Sequence, residues 1–233
     1  MNSLLKKIAA YRLQRGFRNL SNDLSALGNG LTAEQIVEFL FSKKGSLVRP
    51  WQFRSEITNL LTLYKGLNAN FALEIGTANG GTLLGHCRLA NPGATIISID
   101  LPEGKFGGGY PDWKIPIYQR FAGKQQRLEL IRDNSHAKDT IQKVEKILNG
   151  NKLDYLFIDG DHTYEGVKKD FELYSPFVKK DGVIVFHDVV PHPGSLCKVD
   201  EFWNEIKQKF EYKEFIDKPD QASFGVGLLY FNL

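Results

Sequence analysis

The residues best suited to chemistry stand at the ends of two apolar runs. Tyr155-Leu156-Phe157-Ile158-Asp159-Gly160-Asp161-His162 closes in acids and an imidazole, and Gly182-Val183-Ile184-Val185-Phe186-His187-Asp188 closes in an imidazole and an acid. If the runs are neighbouring strands, Asp159, Asp161 and Asp188 project into one crevice. Converging carboxylates repel one another unless a cation or a proton neutralises them. Oxygen ligands in this number suit Mg²⁺, which keeps several waters and takes few protein ligands. Asp159 and Asp188 form the expected metal pair. Asp161 can equally be a solvated turn residue, and Asp188 a loop cap. An imidazole is softer than Mg²⁺ prefers, so His187 can instead touch substrate or point away. His162 follows Asp159 by three residues, and an ordinary imidazole pKa of about 6.5 lets it take a hydroxyl proton at neutral pH. A cation on Asp159 would also acidify a coordinated hydroxyl. His192 is a second candidate base.

A separate segment offers a binding surface rather than reactive groups. Leu73-Glu74-Ile75-Gly76-Thr77-Ala78-Asn79-Gly80-Gly81-Thr82 ends a strand and opens a helix. Parallel sheets bind ligands at the carboxyl ends of their strands, and Gly76 and Gly80 allow a tight turn and close approach of the backbone. The spacing is not GxGxxG, which favours an adenosine-type ligand over a pyrophosphate; an ordinary glycine-rich turn is the plain alternative. Asp100, at the end of the next strand, is placed to accept hydrogen bonds from ribose hydroxyls. A third strand end brings Asn134, Ser135 and His136 to the same rim, with His136 equally readable as a helix-start residue.

Positioning these groups requires alternating strands and helices. Phe71–Ile75, Ala94–Ile99, Arg127–Ile131, Leu153–Ile158, Gly182–Phe186 and Gly225–Phe231 read as strands. Gly81–Ala90, Ala137–Leu148, Tyr164–Val178 and a segment near 199–210 read as helices, with a less regular link over 101–126. Near-continuous apolar strands alternating with helices imply a parallel sheet covered on both faces. Three helical patterns come first, over about 2–19, from Thr32 with a Thr32–Gln35 capping box, and over about 52–66. Ser21–Gly30 and Gly45–Pro50 read as the loops between them. The expected organisation is a helical extension or cap over 1–66 and a doubly wound α/β domain over 67–233.

Composition sets the outer limits. The 233 residues are 42% hydrophobic and 24% charged, ordinary for a globular chain large enough to bury a two-sided core. Cys87 and Cys197 stand in no CxxC or CxxH spacing, which excludes a disulfide scaffold or a cysteine-rich zinc module and suits a reducing, cytoplasmic setting. No run approaches the roughly 18 apolar residues of a spanning helix. The net charge of +3 is uneven: residues 1–70 hold ten Lys/Arg and four Asp/Glu, and the remainder is slightly acidic. A mildly acidic body argues against nucleic acid as partner. The basic first helix, where Leu4, Leu5, Ile8, Tyr11 and Leu13 interleave with Lys6, Lys7, Arg12, Arg15 and Arg18, has three readings: a helix packed on the body, a peripheral membrane contact through residues 1–22, or a transit peptide. Exposed helices such as 31–42 could serve a homo-oligomer.

Glu74-Ile75-Gly76-Thr77-Ala78-Asn79-Gly80-Gly81 with Asp100 resembles the cofactor loop of class I S-adenosylmethionine-dependent methyltransferases. Tyr155–Gly166 and Gly182–Asp188 resemble one branch of that fold, which contains small-molecule O-methyltransferases and the cephalosporin-hydroxylase-like and macrolide-sugar methyltransferases. The likeness covers about 50–231. It implies a Rossmann-like, mostly parallel seven-stranded sheet. It places Glu74, Gly76 and Gly80 around the amino-acid end of S-adenosylmethionine, with Thr77 and Asn79 of the same loop. It also places Asp100 on the ribose and Asn134, Ser135 and His136 near the adenine. By the same resemblance His162 takes the position of the general base, and Asp159, His187 and Asp188 that of the divalent-cation ligands. The relatives carry an acid-acid or acid-amide pair where His187-Asp188 stands here. The implied reaction methylates a hydroxyl of a small molecule or glycan. The alternative is an accessory protein that binds the cofactor without catalysis, or one that works at a membrane surface.

Overall fold

The computed structural model describes residues 3–28, 30–102 and 109–232. Seven strands form one sheet in the order β3-β2-β1-β4-β5-β7-β6: β1 Phe71–Ile75, β2 Thr95–Asp100, β3 Arg127–Arg132, β4 Leu153–Ile158, β5 Val178–His187, β6 Glu211–Phe215 and β7 Val226–Phe231. The first five run parallel, while β7 is antiparallel to both β5 and β6. Strand order reverses between β1 and β4, the switch point beside which doubly wound sheets hold ligands.

Alternation along the central strands gives each face its own core. Tyr155 and Phe157 join Ala72, Ile96, Val183 and Leu228 on one face, while Leu156 and Ile158 join Leu73, Ile97, Ile184 and Leu229 on the other. The first face is covered by α1 Ser3–Ala26, α2 Ala33–Phe41, α3 Arg54–Leu67 and α4 Gly81–Leu89; the second by α6 Lys138–Leu148, α7 Tyr164–Tyr174 and α8 Val199–Ile206. A single turn, α5 Ile115–Tyr118, and flanking 3₁₀ turns occupy the 101–126 link. The α2 start carries the expected capping box, with Gln35 N–H donating to Thr32 Oγ1 (3.3 Å) and Thr32 N–H to Gln35 Oε1 (2.9 Å).

Three elements depart from the sequence expectation. Helix α1 continues through 20–26, where a loop was expected, because Phe17, Leu20 and Leu24 carry one apolar stripe into the core and the first positive-φ glycine is Gly28. Helix α7 stops at Tyr174 rather than Val178, since Pro176 has no N–H to continue the ladder, and Val178 already starts β5. Strand β6 carries Glu211, Lys213 and Glu214, an edge protected by charge whose alternation hides it from an apolar-run reading.

The N-terminal helices are packed into the main core. Phe17 meets Trp113 edge-on at 4.9 Å, and Arg88 donates to the Leu24 carbonyl. The side chains of Leu4, Leu5, Lys6, Lys7, Ile8 and Leu13, on which the membrane-facing reading of α1 rests, lie outside the described residues. No described helix is long and apolar enough to cross a membrane.

Helix α3 presses fully buried Leu61 onto α4 so closely that a Cβ on Gly85 would lie 2.6 Å from its Cδ2. Leu61→Ala is therefore expected to cost about 2–5 kcal/mol, seen as a lower urea midpoint with an unchanged slope. Separate transitions for α3 and the sheet would contradict the shared core.

Candidate functional site

The ends of β1 and β4 meet so tightly that only glycine fits between them. Gly76 has φ +95°, its N–H donates to Ile99 O at 2.8 Å, and a Cβ there would stand 1.9 Å from the Asp159 carbonyl oxygen. Next to it Thr77 and Ala78 turn back, and their N–H groups donate to Asp100 Oδ2 at 3.2 and 2.8 Å. Gly109 N–H reaches Oδ1 of the same carboxylate at 3.0 Å. Asp100 thus ties the glycine loop to Gly109. Burial raises its pKa to about 6 against the backbone hydrogen bonds that lower it, so at neutral pH it is a carboxylate.

These residues wall a cavity of about 520 Å³. Gly76, Thr77, Asn79 and Asp100 line one side, Asn134, Ser135 and His136 a second, and Asp159, His162, His187 and Asp188 a third. Two residues expected at the cofactor lie outside this lining. Gly80, at φ +83°, turns the chain into α4 over the Tyr118 ring, where a Cβ would come to 3.0 Å. Glu74, one residue before the end of β1, points from the sheet face toward α4. It is 1% exposed, 3.1 Å from His86 Nδ1, and accepts from Ser98 Oγ at 3.3 Å. His86 Nε2 continues to the Tyr155 hydroxyl at 3.1 Å, and Ser98 to the Thr77 hydroxyl. The Glu74 network therefore props the loop from below. His136 reaches the cavity wall, but its Nε2 is 3.2 Å from buried Asp170, whose hydrogen bond raises the imidazole pKa.

At the third wall two carboxylates and two imidazoles interlock. His187 Nδ1 lies 3.1 Å from Asp159 Oδ1 and 3.3 Å from Asp188 Oδ1. His162 lies between the same acids, Nδ1 3.1 Å from Asp188 Oδ2 and Nε2 3.5 Å from Asp159 Oδ1. Burial opposes charge on both rings, yet the acids prevail and raise His162 to about 11 and His187 to about 9. Burial likewise works against charge on Asp159 and Asp188, and the imidazoliums, His187 foremost, hold both below the usual carboxylate range. Asp161 also lines the cavity, but its Oδ1 accepts from Thr163 N–H and Oγ1 at 2.9 and 2.8 Å, the turn role. His192 Nε2 is 3.2 Å from Asp188 Oδ1, outside the cavity lining.

Backbone strain gathers at the same place. Ala78, Asp188 and Phe224 have φ of 44°, 61° and 63°, and all three line the cavity. A non-glycine residue held there costs on the order of 1–3 kcal/mol and persists where its surroundings over-determine it.

One wall was not legible in the sequence. Arg49, Pro50, Trp51 and Gln52, from the α2–α3 connection, close the cavity together with Phe224 of the β6–β7 connection. Trp51 is 67% exposed. Gln52 is 6% exposed, and neither end of its amide has a hydrogen-bond partner among the described residues. Phe224 stacks on His187 with centroids 5.8 Å apart. Glu56 anchors this wall by accepting from Phe53 N–H (3.2 Å) and from the Gln221 amide (2.7 Å). The Pro50-Trp51 dipeptide signals a break between helices, and nothing in its pattern signals a cavity.

A methyltransferase-domain family model matches residues 73–189, from the glycine loop to just past Asp188. The chain belongs to that family. Among solved structures, the methyltransferase domain is similar to an O-methyltransferase from Bacillus cereus in complex with SAH (TM-score 0.58, 16% identity, 87% of this chain and 92% of that one). It is also similar to the O-methyltransferase TomG of Streptomyces achromogenes in complex with SAM (TM-score 0.55, 17% identity, 75% and 78%). At these identities the likeness is one of fold: a Rossmann-like methyltransferase sheet with added N-terminal helices. A Sinorhizobium fredii protein, y4gI, is 26% identical over 172 residues, 72% of this chain and 18% of that protein. An Acanthamoeba polyphaga mimivirus protein, R132, is 58% identical over 38 residues, 16% of this chain and 17% of that protein. The chain spans less than a fifth of the length of these curated relatives.

The cluster gives the methyltransferase domain a defined pH response. His162 and His187 bind protons more tightly folded than unfolded, so their stabilisation is full below pH about 6.5 and is lost as pH rises through about 9 and about 11. Asp159 and Asp188 are depressed, and their contribution is lost in acid instead. The melting temperature of metal-free protein is expected to fall between pH 7 and 10, and less steeply in His187→Asn. Parallel slopes for the two proteins would contradict the protonated cluster.

Proposed function

We propose that this domain transfers a methyl group from S-adenosylmethionine to a hydroxyl of a small molecule or sugar, assisted by a divalent cation. The observation that carries the reading is the meeting of the Asp159–Asp188–His162 cluster and the glycine loop on one cavity. The Bacillus and Streptomyces relatives, whose structures hold SAH and SAM, support the choice of cofactor.

The residues present fit both groups. For the cofactor, Gly76 lines the cavity and lets the loop lie against the end of β4, Asp100 offers carboxylate oxygens to a diol, and Thr77, Asn79, Asn134 and Ser135 add polar atoms along the wall. For the cation, one ring nitrogen and one oxygen from each acid of Asp159, His187 and Asp188 lie within 4.8 Å of one another. The imidazole in that set favours Mn²⁺ or another first-row ion over Mg²⁺. Such a cation, once bound, supplies positive charge that acidifies a nearby hydroxyl and competes with the protons now held by the cluster.

The remaining work falls to protein groups. Asp188 orients the His162 ring through Nδ1, and Nε2, 3.5 Å from Asp159 Oδ1, is the nitrogen that would receive the acceptor's proton once Asp159 is neutralised. With its pKa at about 11, His162 keeps its proton at neutral pH in the metal-free protein. The base role therefore depends on neutralising the acids that hold that proton. Gln52 and Trp51 supply an amide and an indole face at the cavity wall, a pair suited to a hydroxyl-rich ring.

Labelled S-adenosylmethionine offered with a panel of sugars and phenols tests the reading. Transfer should occur with Mn²⁺ or Mg²⁺ and vanish in chelator, while calorimetry shows the cofactor still binding. Absence of cofactor binding would overturn the proposal altogether. His162→Ala should lower kcat by about 10²–10⁴ and leave cofactor affinity within about twofold, so unchanged turnover would remove His162 as base. Gln52→Leu should raise the acceptor's KM, and an unchanged value would remove that contact.

A further inference from the structure

Beside the Asp159–His187–Asp188 set lies a second donor set built on a thiol. The Sγ of Cys197, a ring nitrogen of His162 and a carboxylate oxygen of Asp188 all lie within 4.8 Å of one another. Cys197 is 4% exposed, and its side chain is in hydrogen-bond contact with His162. Three segments supply the donors: the turn after β4, the end of β5 and the loop before α8. The first and third are fastened together by Lys198 N–H, which donates to the His162 carbonyl at 2.7 Å, and the Cys197 N–H is held within its own loop by Ser195 Oγ at 3.1 Å. The Asp188 carboxylate divides its oxygens between the two sets, with Oδ1 3.3 Å from His187 and Oδ2 3.1 Å from His162.

We propose that His162, Asp188 and Cys197 form a binding site for a soft divalent cation, Zn²⁺, distinct from the harder Asp159–His187–Asp188 set and joined to it through Asp188. Sulfur, imidazole and carboxylate are the donors Zn²⁺ takes in four-coordinate sites, and three protein ligands leave the fourth position to water. Mg²⁺ has no use for the thiol. Binding replaces the S–H proton of Cys197 and the proton on the coordinating nitrogen of His162, and both leave to solvent. Because the site takes the His162 lone pair, Zn²⁺ here would withdraw that imidazole from any proton-transfer role.

The test needs no methyl-transfer assay, so its outcome stands apart from the function proposed above. Whole protein loaded with one equivalent of Zn²⁺ is examined by zinc-edge X-ray absorption, where one sulfur at about 2.3 Å is expected. A shell of nitrogen and oxygen alone overturns the site. In parallel, Co²⁺-loaded protein should show a near-ultraviolet sulfur-to-cobalt charge-transfer band that Zn²⁺ abolishes. Cys197→Ser should lose that band and bind Zn²⁺ at least about tenfold more weakly, since changes beyond the ligand shell alone cost about 10–100-fold. Cys87→Ser, altering a thiol buried on the other face of the sheet, should keep the band. A band that survives in Cys197→Ser, or that only Cys87→Ser removes, overturns the assignment; the zinc-edge result on unmodified protein decides the matter if Cys197→Ser fails to fold.

Discussion

Two acids set side by side at the rim of a parallel sheet are the constraint from which most of this site follows. β4 and β5 pair with Ile158 opposite Phe186, so the residues just beyond, Asp159 and His187-Asp188, share one small volume. Carboxylates this close need positive charge. In the metal-free protein the imidazoles of His187 and His162 supply it, each lying between both acids. The left-handed backbone of Asp188 and the Phe224 ring stacked on His187 hold the arrangement at a conformational cost. A cation and a pair of protons are thus rival solutions to one electrostatic problem, which links metal binding, His162 protonation and stability.

The cofactor half of the cavity is built on a different principle. There the backbone does the shaping: Gly76 permits the β1 and β4 ends to touch, and Asp100 collects three N–H groups from the loops around it. Beneath, Glu74, His86, Tyr155 and Ser98 form a buried polar chain that ends on Thr77. Buried polar groups are tolerable when each finds a partner, and here that satisfaction fixes the loop from the side opposite the ligand. The N-terminal helices finish the enclosure, sharing one hydrophobic cluster with the sheet while presenting Trp51 and Gln52 to the cavity.

What the sequence disclosed follows from what each signal measures. Asp159, His162, His187 and Asp188 were legible because apolar runs end abruptly at them, and strand ends in such sheets point at one rim. Glu74 was assigned to the cofactor by the resemblance alone, and its burial against His86 and Ser98 depends on how α4 packs on the sheet, which no run of residues discloses. Strand β6 was hidden because an edge strand with charged outward positions has no apolar run. Gln52 and Phe224 were beyond reach, since their role depends on how distant connections fold over the cavity. Asp161 showed the limit of counting acids, for its carboxylate serves the Thr163 turn.

The most direct test of the central claim is the protonation state of His162, read by nitrogen-15 NMR of histidine-labelled protein at pH 7 before and after adding Mg²⁺ or Zn²⁺. The account predicts an imidazolium in the metal-free protein, consistent with a pKa of about 11, which becomes neutral or metal-bound as the cation fills the acidic cluster. A His162 that is already neutral at pH 7 without metal, or one that keeps its proton when the cation is bound at Asp159 and Asp188, would contradict it.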